Sequence, residues 1–219
     1  MARAIKNRPP KKAIYVFWEG ESEAAYTKYL RQAFEQSASI TSHREKGTFA
    51  TAKAYCRGNK VFQNNLSELD EIWFFFDTEI ENGNQWDKNM KCVESILKAA
   101  KRSPVKIRLL MTSCCVEYWF LLHFERRAPA IITPTDKEKI LQDVRNLVHG
   151  YKKGDYETTA AIARKYKDAI PNGRWTLERL KSDGLPDDPT ERDRWLFLGT
   201  RTFTTVHEAL EMLEALPKL

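Results

Sequence analysis

Two segments of the chain are apolar at every position: Ile-Tyr-Val-Phe-Trp at residues 14–18 and Ile-Trp-Phe-Phe-Phe at residues 72–76. A strand that is apolar throughout is usually covered on both faces, as in the parallel sheet of an α/β protein. Ligand sites in such sheets lie beyond the carboxyl ends of the strands. The two segments therefore predict an α/β fold with a functional site at one edge of a buried, mainly parallel sheet.

Acidic residues follow both apolar segments. Glu19 comes directly after the first, and Asp77 and Glu79 come directly after the second. If the second strand continues, its two-residue period places Asp77 and Glu79 on the same side. Magnesium prefers carboxylate and other hard oxygen ligands, and it often keeps several waters. The pattern predicts a Mg²⁺ (or Mn²⁺) site formed by Glu19, Asp77 and Glu79, with Glu23 in support.

A metal at this position would polarise a phosphodiester, while a free carboxylate moves protons. The same acids have a simpler interpretation, because acidic residues after strands are common as helix caps. Glu21 and Glu23 in particular would complement the dipole at the N-terminus of a following helix. Both interpretations stay open on the sequence alone.

The spacing of apolar residues predicts the elements around these strands. Helices are expected at residues 22–36, from a cap at Thr48, and from a cap at Asp87, with a possible strand at 39–45 and a core strand at 105–111. This alternation of strands and helices is typical of a doubly wound sheet with right-handed crossovers.

The chain divides by pattern into three parts, a basic arm, an α/β domain and a helical C-terminal region, at residues 1–12, 13–125 and 126–219. In the last part, helices are predicted at 136–148, 156–169 and 205–216. Loop signals are found at 171–173 and 184–189, and a polar segment with an apolar patch at 192–201.

Length and composition limit the class of protein. The chain has 219 residues, 42% of them hydrophobic, which is enough for a sizeable core. No window approaches the roughly 18 unbroken apolar residues of a membrane span, and the N-terminus lacks the apolar core of a signal peptide. We therefore expect a cytoplasmic protein without membrane contact. The net charge of +6 favours an anionic partner, most often nucleic acid.

Basic pairs give this charge a possible location. Arg126 and Arg127, and Lys152 and Lys153, are candidates for contacting a nucleic-acid backbone, as is the basic arm at residues 1–12. Each is also typical of a solvated surface.

Aromatic side chains offer a second type of nucleic-acid contact. Trp175, Trp195 and Phe203 are candidates for stacking on bases, with packing in the core as the alternative.

The segment at residues 116–124 is apolar almost throughout, with Glu117 and His123 as its only ionisable groups. His123 is a candidate general acid or phosphate donor, or else a core histidine whose hydrogen bonds are satisfied. A buried Glu117 must be paired, since an isolated interior charge is costly. It would reach either the metal-site loop or an arginine.

Four motifs together resemble the RloB (AbiLii-like) family, and the resemblance spans nearly the whole chain. They are the Glu-Gly-x-Ser-Glu turn at 19–23, the Asp-x-Glu pair at 77–79, the segment Glu-Tyr-Trp-Phe-Leu-Leu-His-Phe at 117–124 and Thr-Thr-Val at 204–206. The segment at 117–124 is the most specific of the four.

The resemblance implies a Toprim-like domain in which Glu19 acts in acid–base chemistry while Asp77 and Glu79 hold magnesium. The family occurs in bacterial anti-phage loci, commonly beside an AAA-type ATPase. The resemblance implies a nuclease that acts on DNA or RNA, and analogy suggests tRNA as one substrate. A homo-oligomer is a further expectation. The alternative is a non-catalytic adaptor that binds nucleic acid or the ATPase.

Overall fold

A four-stranded sheet forms the centre of the computed structural model, which describes residues 11–78, 85–100 and 105–218. Its strands are β1 (Lys12–Trp18), β2 (Ala38–Ser42), β3 (Glu71–Thr78) and β4 (Lys106–Ser113). They lie in the order β2-β1-β3-β4, and every neighbouring pair is parallel. Helices flank the sheet, so the predicted α/β class is confirmed and is consistent with a Toprim-like fold.

Strand β3 shows why an unbroken apolar run predicts a doubly covered strand. Trp73 and Phe75 belong to the hydrophobic core on one face of the sheet, whereas Ile72, Phe74 and Phe76 belong to the core on the other face. All five side chains are at most 3% exposed. Successive side chains point to opposite faces of a strand, so each face needs its own helical layer.

Five helices belong to the α/β pattern: α1 (Glu21–Ala33), α2 (Phe49–Gly58), α3 (Lys60–Asn65), α4 (Gln85–Ala99) and α5 (Val116–Leu121). The helix expected from Thr48 is interrupted at Asn59, whose side chain accepts a hydrogen bond from the amide of Phe62 and starts a new helix. The prediction that Asp87 caps a helix was wrong, because α4 already includes Gln85 and Asp87 lies in its first turn.

Five further helices follow: α6 (Pro134–Leu147), α7 (Tyr156–Ala163), α8 (Tyr166–Glu178), α9 (Pro189–Leu198) and α10 (Val206–Glu214). The polar segment at 192–201 is therefore largely helical. Asp188 caps α9 by accepting hydrogen bonds from Thr190 and Glu191, and Pro189 occupies the first helical position, where its missing amide costs nothing.

The loop predicted at residues 171–173 was wrong, because α8 continues through it. Tertiary contacts stabilise the helix there. The Asn172 side chain donates a hydrogen bond to the carbonyl of Leu122 at 2.8 Å. Gly173 lies so close to α10 that a Cβ would be 2.8 Å from Cβ of His207. The predicted helix at 156–169 is two helices, α7 and α8.

The chain returns to the sheet after α9. Thr204 forms an antiparallel bridge with Thr112 of β4, and the Thr205 hydroxyl accepts a hydrogen bond from the amide of Met111 at 2.8 Å. Side chains of α10 complete the same hydrophobic core as those of β1 and α1.

At the amino end of the sheet, Lys12 lies at the start of β1 and pairs with the buried Glu71 at 3.0 Å. Residues 1–10 of the predicted basic arm lie outside the described residues. Within the described residues, no helix combines the length and apolar character needed to cross a membrane.

Candidate functional site

A cavity of about 350 Å³ opens at the carboxyl ends of β1 and β3, where the sequence predicted a site. Five carboxylates and two ammonium groups contribute to its lining. The lining residues are Glu19, Gly20, Glu21, Ser22, Glu23, Lys46, Asp77, Val116, Glu117 and Lys153. We call it the carboxylate cavity.

Glu19 and Asp77 are joined directly. The amide of Glu19 donates to the carbonyl of Phe75 at 3.0 Å, which extends the pairing of β1 with β3 by one residue. The amide of Asp77 then donates to Oε2 of Glu19, also at 3.0 Å. The structure thus brings together two of the three predicted metal ligands. Glu79 lies outside the described residues.

Oδ1 of Asp77 is buried and has no hydrogen-bond partner among the described residues. Burial raises the pKa of Asp77 well above its ordinary value, and the negative charges of Glu23, Glu19 and Glu117 raise it further. A buried acceptor without a donor is costly, and a cation or a proton would relieve that cost.

Glu23 is 3% exposed and lies in the first turn of α1. Burial raises its pKa to about 7, and the charges of Glu117 and Glu19 contribute, against the opposing effects of its own backbone amide and Lys153. Gly20 leaves the room that this side chain occupies, because a Cβ at Gly20 would lie 2.8 Å from Oε2 of Glu23.

Glu117 is 1% exposed and lies in the first turn of α5. It accepts a hydrogen bond from the Tyr151 hydroxyl at 3.0 Å and pairs with Lys153 at 3.5 Å. The sequence predicted that Glu117 reaches either the metal-site loop or an arginine. In the structure Glu117 lines the carboxylate cavity, and its ion-pair partner is a lysine.

The segment from Tyr151 to Gly154 is attached to the start of α1. The amide of Gly154 donates to the Ser22 hydroxyl at 3.1 Å, and that hydroxyl lies 3.4 Å from the Tyr151 hydroxyl. These buried contacts bring Lys153 from the helical part of the chain to the cavity. Ser22 and Tyr151 were not identified as site residues from the sequence, since the hydrogen bonds that join this segment to α1 connect residues 129 or more positions apart.

Lys46 is a second cavity residue that the sequence reasoning missed. Its loop is fixed to β1, because the amide of Gly47 donates to the carbonyl of Trp18 at 2.9 Å and Nε1 of Trp18 donates to the carbonyl of His43 at 2.8 Å. Gly47 has φ of 133°, a left-handed conformation that suits glycine. In the sequence, only the glycine after Lys46 indicated a turn at this position.

His123 does not line the carboxylate cavity. It is 1% exposed, with Nε2 lying 3.0 Å from the Tyr26 hydroxyl and Nδ1 lying 2.9 Å from the carbonyl of Trp119. Burial lowers its pKa to about 3, so the ring is neutral near pH 7. These contacts describe a core histidine with satisfied hydrogen bonds.

The other predicted basic contacts lie apart from the lining. Arg127 pairs with Asp143 and Glu125, and Arg126 donates to the Asn172 side chain. Lys152 is exposed and does not line the cavity, unlike its neighbour Lys153.

The donors of the carboxylate cavity limit how a divalent cation could be held. Among the described residues, no group of three or more His, Cys, Asp or Glu side chains is arranged to hold a metal ion. Magnesium, however, is usually held by one or two carboxylates together with waters and substrate phosphate. Glu19 and Asp77 supply these two carboxylates. Oδ1 of Asp77, which has no hydrogen-bond partner among the described residues, is available to a cation.

The chain matches the model of a known protein family. No curated protein shows significant similarity to the chain. The model of the family described as RloB-like protein matches residues 14–213, from within β1 to within α10. Because this match covers most of the chain, the protein belongs to the RloB-like family.

Proposed function

We propose that this protein is a metal-dependent nuclease that hydrolyses phosphodiester bonds of nucleic acid at the carboxylate cavity. The observation that carries the proposal is the meeting of Glu19 and Asp77 at the carboxyl ends of two parallel strands, where Oδ1 of Asp77 is buried and has no hydrogen-bond partner in the described part of the chain. Groups whose pKa is shifted by burial and by neighbouring like charges, as for Asp77 and Glu23, cluster at functional sites.

Glu19, Asp77 and Glu79 would hold Mg²⁺ or Mn²⁺. When bound, the metal would polarise the phosphodiester and stabilise the charge that develops on it. In this proposal Asp77 is a ligand, and Glu19 also takes up a proton from the attacking water, the acid–base role that the family resemblance implies. The amide of Asp77 holds Glu19 in place through its hydrogen bond to Oε2.

The five carboxylates of the cavity would repel a phosphate, so cations must offset them. Nζ of Lys153 forms an ion pair with Oε1 of Glu117 at 3.5 Å. No carboxylate oxygen lies within 4.0 Å of Lys46 in the part of the chain that the structure describes, and its loop is fixed to β1. We assign Lys46 and Lys153 to binding of the substrate phosphate.

The substrate in this proposal is DNA or RNA, with tRNA as one candidate, and the net charge of +6 supports an anionic partner. The family resemblance supports a role as effector in anti-phage defence together with an AAA-type ATPase. His123 has no role in the chemistry, because its ring is enclosed in the core.

A non-catalytic adaptor is the second candidate. It is favoured by the pairing of Glu117 with Lys153, which is sufficient to stabilise a loop. In that case the basic surface would bind nucleic acid or the ATPase, and the acids would have only a structural role.

Cleavage assays distinguish the two. The purified chain, with and without the neighbouring ATPase, is mixed with labelled DNA and RNA in Mg²⁺ or Mn²⁺. We expect cleavage that is lost in Glu19→Ala and Asp77→Ala and kept in Glu94→Ala, a change of an exposed glutamate on α4. Persistent cleavage in folded Glu19 and Asp77 variants would remove the site assignment.

Calorimetric titration with Mg²⁺ provides the second measurement. The nuclease proposal predicts binding that strengthens when nucleic acid is present. No binding, even with nucleic acid present, would favour the adaptor.

A further inference from the structure

A second cavity, larger than the carboxylate cavity at about 540 Å³, lies at the end of α9. It is lined by Pro186, Glu191, Arg194, Trp195, Leu198, Gly199 and Arg201. We call it the α9 cavity. Of the aromatic residues considered for base stacking, Phe203 is fully buried in the core, whereas Trp195 faces this cavity.

The α9 cavity contains a stacked pair. The Arg201 guanidinium lies 3.4 Å from the centre of the Trp195 ring. Gly199 makes this position possible, because a Cβ there would lie 1.8 Å from Nη1 of Arg201. Glycine at this position therefore keeps space for the guanidinium.

The stacked pair lies at the same edge of the sheet as the carboxylate cavity. The Ser113 hydroxyl donates to the carbonyl of Arg201 at 2.7 Å. Ser113 is the last residue of β4 and pairs with Thr78, which directly follows Asp77. From strand spacing and chain geometry, the backbone of Arg201 lies within roughly 15 Å of Asp77. A separation of this size corresponds to a few nucleotides of an extended strand.

Two guanidinium groups, those of Arg194 and Arg201, and one carboxylate, that of Glu191, line the α9 cavity, so its net charge is positive and suits an anionic ligand. Among the described residues, no carboxylate oxygen lies within 4.0 Å of the Arg194 or Arg201 guanidinium, whereas the nearby Arg192 is paired with Asp193 and Glu208. Arg194 is exposed, and so is Leu198, at 49%. Aromatic rings and guanidinium planes stack on bases of any sequence, and guanidinium groups bind phosphate.

We propose that the α9 cavity binds unpaired nucleotides of the substrate, with a base stacked on the Arg201–Trp195 pair and a phosphate bound by Arg194. This inference rests on the proposed function and deepens it, since it specifies single-stranded nucleic acid as the substrate class. A duplex keeps its bases stacked on each other, so it cannot use this platform.

Binding can be measured without cleavage. Fluorescence anisotropy in EDTA would measure binding of the full chain to a labelled single-stranded RNA of about 20 nucleotides and to the matching blunt duplex. We expect Arg201→Gln to weaken binding of the single strand by between about 5-fold and 150-fold, the range for loss of one base–side-chain stack. Duplex binding should change much less.

Three further variants sharpen the result. Gly199→Ala should weaken single-strand binding in the same way, by displacing the guanidinium, and Trp195→Ala should do so if it folds. Arg179→Gln is the matched control, because Arg179 also lies over a tryptophan, Trp175, but does not line the α9 cavity. Circular dichroism and thermal melting report the folding of each protein.

Unchanged single-strand binding in folded Arg201→Gln and Gly199→Ala would overturn the inference. An equal loss for duplex and single strand would also overturn it, since it would reduce Arg201 to a general electrostatic contact. Neither result affects the cleavage test of Glu19 and Asp77, so failure of this inference is separable from failure of the nuclease proposal.

Discussion

The amide of Asp77 donates a hydrogen bond to Oε2 of Glu19 at 3.0 Å, so a residue after β1 and a residue of β3 share one bond. The carboxylate of Glu19 therefore has a structural role as well as the proposed chemical one. Substitutions of different kinds should separate the two roles.

We predict that Glu19→Gln keeps the fold and loses cleavage. A glutamine oxygen can still accept from the Asp77 amide, but it cannot accept a proton, and loss of a general base typically costs 10²–10⁴-fold in rate. Glu19→Ala should lose the hydrogen bond too and lower the free energy of unfolding by about 1 kcal/mol more. Single-turnover cleavage and urea unfolding measure the two effects. Near-normal cleavage by Glu19→Gln would contradict the acid–base role.

Asp77→Asn should be more stable than the natural protein in EDTA. Burial and three neighbouring carboxylates raise the pKa of Asp77, which means that its charged form is disfavoured in the folded state. Removing the charge should raise the melting temperature by about 2–4 °C, equivalent to about 1 kcal/mol for a chain of this size.

Added Mg²⁺ should then stabilise the natural protein but not Asp77→Asn, because binding to the folded state raises the melting temperature. Asp168→Asn, a change of an exposed residue, is the control and should show the natural response in both conditions. An Asp77→Asn protein that melts below the natural one in EDTA would argue against repulsion in the cavity.

Lys46→Met should raise KM for nucleic acid more than it lowers kcat. The side chain lines the carboxylate cavity on a loop fixed to β1, so its loss removes a cation without disturbing the carboxylates. We expect an increase in KM of about 10-fold, equivalent to about 1.4 kcal/mol. Steady-state kinetics give this value, with Lys60→Met as the control on an exposed lysine. Equal KM values for the two variants would remove Lys46 from substrate binding.

Tyr151→Phe should destabilise the protein by about 1–3 kcal/mol, because it removes the hydroxyl that donates to the buried Glu117. Chemical denaturation measures the loss. Tyr156→Phe, which removes a hydroxyl from a more exposed hydrogen bond to Gln32, should cost clearly less. Equal losses would mean that Tyr151 contributes no more than a surface tyrosine.

The buried His123 should make the protein less stable as pH falls. Its pKa is lowered from 6.5 to about 3, so below pH 6.5 the unfolded chain takes up a proton that the folded protein does not. The free energy of unfolding is therefore highest above pH 6.5, and it falls progressively as the pH is lowered toward 3. Between pH 7.5 and 5.0 the loss is about 2 kcal/mol.

His123→Leu removes this titration. The difference in unfolding free energy between the natural protein and the variant should therefore change by about 2 kcal/mol between the two pH values. A difference that does not change with pH would mean that His123 is accessible to protons, and would reopen its role as a general acid.

Much of the α/β part was predictable because its signals are local. Residues 72–76 are apolar at every position and form a strand covered on both faces. The position of Asp77 at the end of that strand follows from the same local pattern. In the C-terminal part, residues 171–173 carry strong loop signals, yet contacts of Asn172 with Leu122 and of Gly173 with His207 keep them helical.

The sequence by itself determined that two strands would end in acidic residues, since burial on both faces and carboxylates at strand ends are both visible within a few consecutive positions. The tertiary structure alone decided which side chains complete the cavity. Lys46 and Lys153 reach it from loops fixed by hydrogen bonds to β1 and to α1. Such contacts depend on how distant segments pack, and contacts made by loops leave no periodic pattern in the chain.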